Sequence, residues 1–303
     1  MNRAWPSVLA VALVIGEAPN EAAAFCQATT VNEGQAMCGQ VGEPLWWPTP
    51  CLSYAVDTDG SQWLDASQTR AAVDTGFRAW SSVTCSTGPT DIQFRRLADS
   101  TCLTPEYNDR GGNVNTVAFL DPWIDPRDGS VLNPESLAFT VVWSDTGTGE
   151  ILDADMLIND TRRWARCPTD GSCTEFDLDS VVTHEAGHFI GIGHSLVRDA
   201  TMFNEASPAG DIEMRSLEQD DIDATCTIYP PGSLRSVCGE SDFTPRGGLD
   251  LNCEDNMTNG SGGGCSTAIG DGAQDAWASA LLCLALFIWP RRRTGVPRDE
   301  HVG

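Results

Sequence analysis

Residues 183–202 read THEAGHFIGIGHSLVRDATM and hold three of the chain's four histidines, spaced His184-Glu185-x-x-His188-x-x-Gly191-x-x-His194. Residues four apart lie on one face of a helix, so His184 and His188 can aim two imidazole nitrogens at a single point. Gly191 can take the positive φ that ends the helix and turns the chain, bringing His194 round as a third nitrogen. Three neutral imidazoles leave the fourth position of a tetrahedral Zn²⁺ open to water, as in a catalytic rather than a structural zinc site. Glu185 falls beside that position and can take a proton there. A bare His-Glu-x-x-His arises by chance on many soluble helices, as two surface histidines flanking a glutamate. Five fixed positions across 184–194, in a chain with one other histidine, favour the metal reading.

With these residues in view, the chain resembles the metzincin metallopeptidases, whose signature is this elongated zinc motif followed by a methionine turn. Met202 stands where that turn is expected, although a lone methionine is more often a core filler. Ser195 after the third histidine and the short run to Met202 are similar to the matrixin branch. Asn204 stands where astacins and serralysins carry a tyrosine. Residues 217–229, with Asp220 and Asp221, look like the last catalytic helix of matrixins. The resemblance implies an α+β, metzincin-like catalytic domain. That domain has a twisted, mainly antiparallel or mixed five-stranded sheet with backing helices, the zinc helix, and a smaller C-terminal subdomain after the third histidine. It implies zinc-dependent endopeptidase activity with Met202 as a supporting floor beneath the histidines. It also allows structural Ca²⁺, although the sequence has no contiguous EF-hand-like loop.

The net charge of −25 and a pI near 4.2 argue against nucleic acid or an anionic membrane surface as a partner, and fit a solvated acidic exterior. Residues 1–24 read as a secretory signal: Arg3, an apolar run over 8–16, then Ala22-Ala23-Ala24 before Phe25. The run is far too short to span a bilayer, so export to an oxidising compartment is expected. Twelve cysteines agree with that. Setting aside Cys265 and Cys283 leaves an even set, which suggests disulfides, with Cys167–Cys173 and Cys238–Cys253 favoured as local loops. Cys38 lacks the arginine and the proline spacing of the matrixin latency motif, so a disulfide is expected there as well.

The first half is read from pattern. Residues 46–56 suggest a first strand, and 67–83 an amphipathic helix with Val73, Phe77 and Trp80 on one face, capped by Ser67 or Asp65. Strands are expected at 91–97, 115–120, 137–143 and 151–158. In matrixins one strand of this sheet lies antiparallel to the substrate, and 151–158 is the expected one here. Alternation in that strand puts Asp153 and Asp155 opposite the apolar face, toward solvent. Asp177 or Asp179 is the expected cap of the zinc helix, with two valines of its first turn buried. The Pro-, Gly- and charge-containing loop 204–215 is expected to be mobile.

From Pro230 the composition shifts. The expected layout is a signal over 1–24, a matrixin-like domain over 25–232, a Cys-containing extension with a Gly-rich linker over 233–264, and a C-terminal segment over 265–303. That last segment combines Gly264-Cys265, an apolar run over 276–289, and Arg291-Arg292-Arg293. It resembles the C-terminal sorting tags of myxobacterial surface proteins, and its physical analogue is a GPI-type signal. A short anchor is the other reading. The run falls below the roughly 20 residues of a membrane span, which favours sorting.

The expected enzyme is thus a secreted or cell-surface, monomeric zinc endopeptidase. His184, His188 and His194 hold the metal, Glu185 is general base and acid, and proteins or peptides are cut. Membrane contact is expected only through the tail. Two other readings are kept: a surface binding or adhesion module that retains the fold, and a protease restricted to one partner protein.

Overall fold

The computed structural model describes residues 25–31, 41–205, 208–234, 237–253 and, for the backbone alone, 266–270. The expected signal segment, Cys38, Cys265, the apolar run and the arginine cluster lie outside the described residues.

The sheet begins with β1 (Cys51–Val56), a short run buried along its whole length. It pairs in parallel with β2 (Gln93–Arg96) on one side and β3 (Thr116–Leu120) on the other. β3 pairs in parallel with β5 (Ile151–Asn159), and β4 (Ala138–Ser144) pairs with β5 in the antiparallel sense. The five-stranded order is therefore β4-β5-β3-β1-β2, a mixed sheet in which β4 alone runs against its neighbour. The backbone of β6 (Ser266–Gly270) adds antiparallel to the outer side of β4.

One face of the sheet carries α1 (Ala66–Ser81) and α2 (Leu178–Phe189). Asp65 caps α1: its carboxylate accepts from Ser67 N and Gln68 N at 2.9 Å, and its own N–H donates to Gln68 Oε1 at 3.3 Å. Val73, Phe77 and Trp80 face inward, as their spacing predicts. The two helices touch at Gly76, where a Cβ would stand 2.7 Å from Val182 Cγ1 and 2.9 Å from Thr183 N. The close approach brings the Phe77 ring to 4.0 Å from Tyr54 and 5.1 Å from Phe189, with Phe94 at 4.9 Å. Removing one such ring costs about 3–5 kcal/mol, so this cluster holds α2 on the sheet.

The opposite face is covered by the loops between β2 and β4. They bury Leu120, Trp123, Phe139, Val141, Trp143 and Leu157, and beneath them Asp153 and Asp155 are 1% and 2% exposed. The expectation that these aspartates face solvent is corrected. Alternation did place them away from the helices, but the loop layer turns that face into a second interior. Asp155 accepts from Glu106 N and Thr116 N. Burial first, then the Asp155 charge, raises the pKa of Asp153 well above the ordinary carboxylate range; burial does the same for Asp155.

The local pair Cys167–Cys173 forms, but Cys238 bonds Cys51 and Cys253 bonds Cys102. The expected Cys238–Cys253 loop is thereby corrected. Residues 237–253 run back over the N-terminal half: Arg95 pairs with Glu240 at 2.5 Å and lies over the Phe243 ring, and Asn113 Nδ2 donates to Arg246 O. A fourth bridge, Cys85–Cys226, fastens α3 (Gln219–Ile228) to the loop after α1.

Candidate metal centre

α2 starts at Asp177, whose carboxylate accepts from Ser180 N at 2.9 Å and is gripped by Arg215 Nε at 2.7 Å. Arg166 pairs with Asp179 within the first turn, at 2.6 Å. Arg215 also donates to Cys167 O, so the end of the loop expected to be mobile is tied to the helix start instead. Val181 and Val182 are buried, with Val182 packed against Gly76 of α1.

His184 and His188 leave α2 on one face and are fully buried. The helix ends with Gly191 at φ +85, where a Cβ would meet Leu45 O at 2.6 Å, so both the turn and the close approach require glycine. Gly193 N then donates to Cys26 O at 2.7 Å and Ala28 N to Gly191 O at 2.9 Å, so the segment at 26–28 holds the loop that carries His194.

The three rings converge. His194 Nε2 lies 3.2 Å from both His184 Nε2 and His188 Nε2. The other ring nitrogens settle the tautomers: His184 Nδ1 is 2.6 Å from Thr201 O, and His188 Nδ1 is 2.8 Å from Ile192 O. A carbonyl only accepts, so both Nδ1 atoms carry hydrogen and both Nε2 atoms present lone pairs to the same point. Burial, then the neighbouring His194 and His184, pushes the His188 pKa well below its ordinary value, which keeps the ring neutral. Converging lone pairs repel unless a cation lies among them. Nitrogens bound about 2.05 Å from a tetrahedral zinc stand ~3.3 Å apart, so the observed spacing fits that ion. Among the described residues, this is the group of His, Cys, Asp and Glu side chains able to hold a metal.

Glu185 is wholly buried beside the triad, and its Oε2 accepts from Thr140 Oγ1 at 2.7 Å. Thr140 belongs to β4, so the outer strand and α2 meet at this carboxylate. The strand expected to pair with a peptide was β5, yet β5 is bonded on both sides, to β4 and β3. β4 is the outer strand of the five beside the triad, which corrects that expectation.

Met202 is buried beneath the histidines. A Cβ on Gly187 would fall 2.2 Å from Met202 Sδ, so the thioether fills the hollow that glycine leaves in α2. The turn is held by Asp221 of α3, which accepts from Thr201 N at 2.8 Å, Met202 N at 3.1 Å and Glu218 N at 2.9 Å. Asp220 takes the Ser195 hydroxyl at 2.6 Å. At the end of α2, Trp47 Nε1 donates to Phe189 O and the Tyr229 hydroxyl to Ile190 O. Sequence reasoning singled out the triad, Glu185 and Met202, and the structure brings all five together. It missed Thr140, Trp47 and Tyr229, and gave the two aspartates no task. The signal for Thr140 was a lone hydroxyl on the helix-facing side of an apolar strand.

Residues 136–230 match the family model described as Matrixin, a stretch that runs from just before β4 to the end of α3. The chain is 46% identical over 56 residues to metalloendoproteinase 5-MMP of Arabidopsis thaliana, covering 18% of this chain and 15% of that protein. It is 38% identical over 76 residues to metalloendoproteinase 4-MMP of the same plant, covering 24% of this chain and 22% of the relative. The chain thus spans less than a quarter of the length of these two relatives. Match and geometry agree on a metzincin-like α+β fold across this stretch.

Proposed function

We propose that this protein is an exported zinc endopeptidase that hydrolyses peptide bonds in protein or peptide substrates. The observation that carries the reading is the convergence of the three Nε2 atoms beside the buried Glu185 carboxylate. Further support comes from the Matrixin match over the same residues and from a set of disulfides suited to an oxidising compartment.

His184, His188 and His194 would hold Zn²⁺. When bound, the ion supplies Lewis acidity, lowering the pKa of water at that point and polarising a carbonyl. The remaining work belongs to side chains and backbone. Glu185 takes the proton of the attacking water on its carboxylate and passes it to the nitrogen of the leaving amine. Thr140 fixes the orientation of that carboxylate through Oε2. β4 offers backbone groups to an extended peptide, which aligns the scissile bond without reading its side chains. Met202 and Asp221 keep the floor and the ring of His184 in place.

The test is metal content and peptide cleavage by the parent and by Glu185→Gln. One zinc per chain, cleavage stopped by a chelator, and a variant that keeps zinc while losing at least about a thousandfold in kcat are expected. A properly oxidised parent that binds no zinc, or a variant that cuts as fast as the parent, overturns the reading.

A further inference from the structure

β4 is the strand a peptide would pair with, and its outer edge already carries a partner. Ser266 faces Trp143, Thr267 faces Val142, Ala268 faces Val141, Ile269 faces Thr140 and Gly270 faces Phe139, in antiparallel register. An outer strand presents a row of unpaired N–H and C=O groups, and any extended backbone that fits the pleat can use them. Ile269 stands opposite Thr140, whose hydroxyl bonds Glu185, so residues 266–270 run along the edge at the strand position that holds that carboxylate.

The connection suits such an occupant. Cys253 is covalently bound to Cys102, which fixes where the intervening residues 254–265 start. A segment joined through so short a connection is held at an effective concentration in the mM range, comparable to or above the KM of many peptide substrates. Backbone pairing also asks little of the side chains, so Ser-Thr-Ala-Ile-Gly needs no special match to side-chain pockets.

We propose that residues 266–270 are a built-in occupant of the peptide edge on β4, so that the full chain blocks itself and a substrate must displace this segment. The inference rests on the proteolytic reading for its consequence, though not for the occupancy. Its effect is competitive: the intact tail raises the apparent KM and leaves the chemistry of the bound complex alone.

The experiment uses the full chain as parent, as Ala268→Pro/Ile269→Pro, and as Glu185→Ala. Two adjacent prolines remove at least one N–H donor to β4 whichever residue of the pair is the bonded one. Hydrogen exchange of the β4 amides, zinc content, and KM and kcat on a quenched peptide are measured for each. Faster exchange at residues 139–143 in the proline variant, equal zinc, and a KM at least about tenfold lower at constant kcat are expected. Unchanged exchange at β4 overturns the occupancy, as does an unchanged KM in a variant that cuts peptide. Cleavage within 266–270 in the parent but not in Glu185→Ala also overturns the proposal, by making the segment a substrate. If no form cuts peptide, the proteolytic reading fails, and the exchange of the β4 amides still decides whether the segment lies there.

Discussion

The Asp221 carboxylate holds the turn at Met202 by accepting from Met202 N at 3.1 Å and from Thr201 N at 2.8 Å, while Thr201 O receives Nδ1 of His184. A single buried acid on α3 therefore sets both the floor under the three histidines and the orientation of one of them. Burial raises its pKa and the backbone donors oppose that rise, so the donors are what make the site tolerable for a charge. Asp221→Ala should cost about 2–4 kcal/mol of stability and weaken zinc binding by roughly 10–100-fold, as loss of a group behind a metal ligand does. Chemical denaturation and competition with a zinc chelator read the two effects separately.

Thr140→Val removes the one hydroxyl that β4 offers to Glu185. A hydrogen bond to a charged group contributes about 1.5–3 kcal/mol, so kcat should fall by roughly 10–100-fold. Zinc content should stay at one per chain, and Thr140→Ser should recover most of the rate. A valine variant with normal kcat would show that Thr140 packs the strand and does not position the carboxylate.

Asp153 carries the pH prediction. Its pKa is raised by burial and by Asp155, so the folded protein binds a proton there more tightly than the unfolded chain. The stability this contributes is fully present below the ordinary value of 3.8 and is lost as pH rises through the folded value. Asp153→Asn keeps the shape without the charge and should gain on the order of 1–3 kcal/mol at neutral pH. Melting temperatures of parent and variant, taken from about pH 4 to about pH 8, should converge at the acid end and separate toward neutrality. Parallel curves would sink the assignment.

The disulfides should rank by the chain they constrain. Replacing Cys51 and Cys238 by serine should destabilise by about 5 kcal/mol, against about 2 kcal/mol for the short Cys167–Cys173 loop, by loop-closure entropy. Urea unfolding under oxidising conditions measures both.

Much of the site could be read from residues 184–202 because its spacing is local: one helix face, one glycine turn and one methionine set where His184, His188, His194, Glu185 and Met202 come together. The zinc helix, α1 and the five sheet strands were legible for the same reason, since period and caps are short-range properties. What escaped depends on the order in which strands pair. Nothing in 151–159 says that it lies inside the sheet, and nothing in 138–144 says that it is the outer of the five strands, so the strand expected to pair with a peptide turned out to be an interior one. Asp153 and Asp155 were read by alternation as outward, which was right about direction and wrong about water, because loops from distant sequence cover that face. Cys238 and Cys253 were paired by proximity in the chain, whereas each reaches back well over a hundred residues, to Cys51 and Cys102.

Those long bridges have a consequence for a chain that is cut. Cys51–Cys238, Cys85–Cys226 and Cys102–Cys253 join the first part of the chain to the last. A single backbone cut anywhere between Cys102 and Cys226 yields two pieces that remain one covalent body, with the halves of the sheet and the histidine cradle still strapped together. Such a nick would be invisible on a gel until the disulfides are reduced, and the clipped protein would still be whole in the sense that matters for its shape.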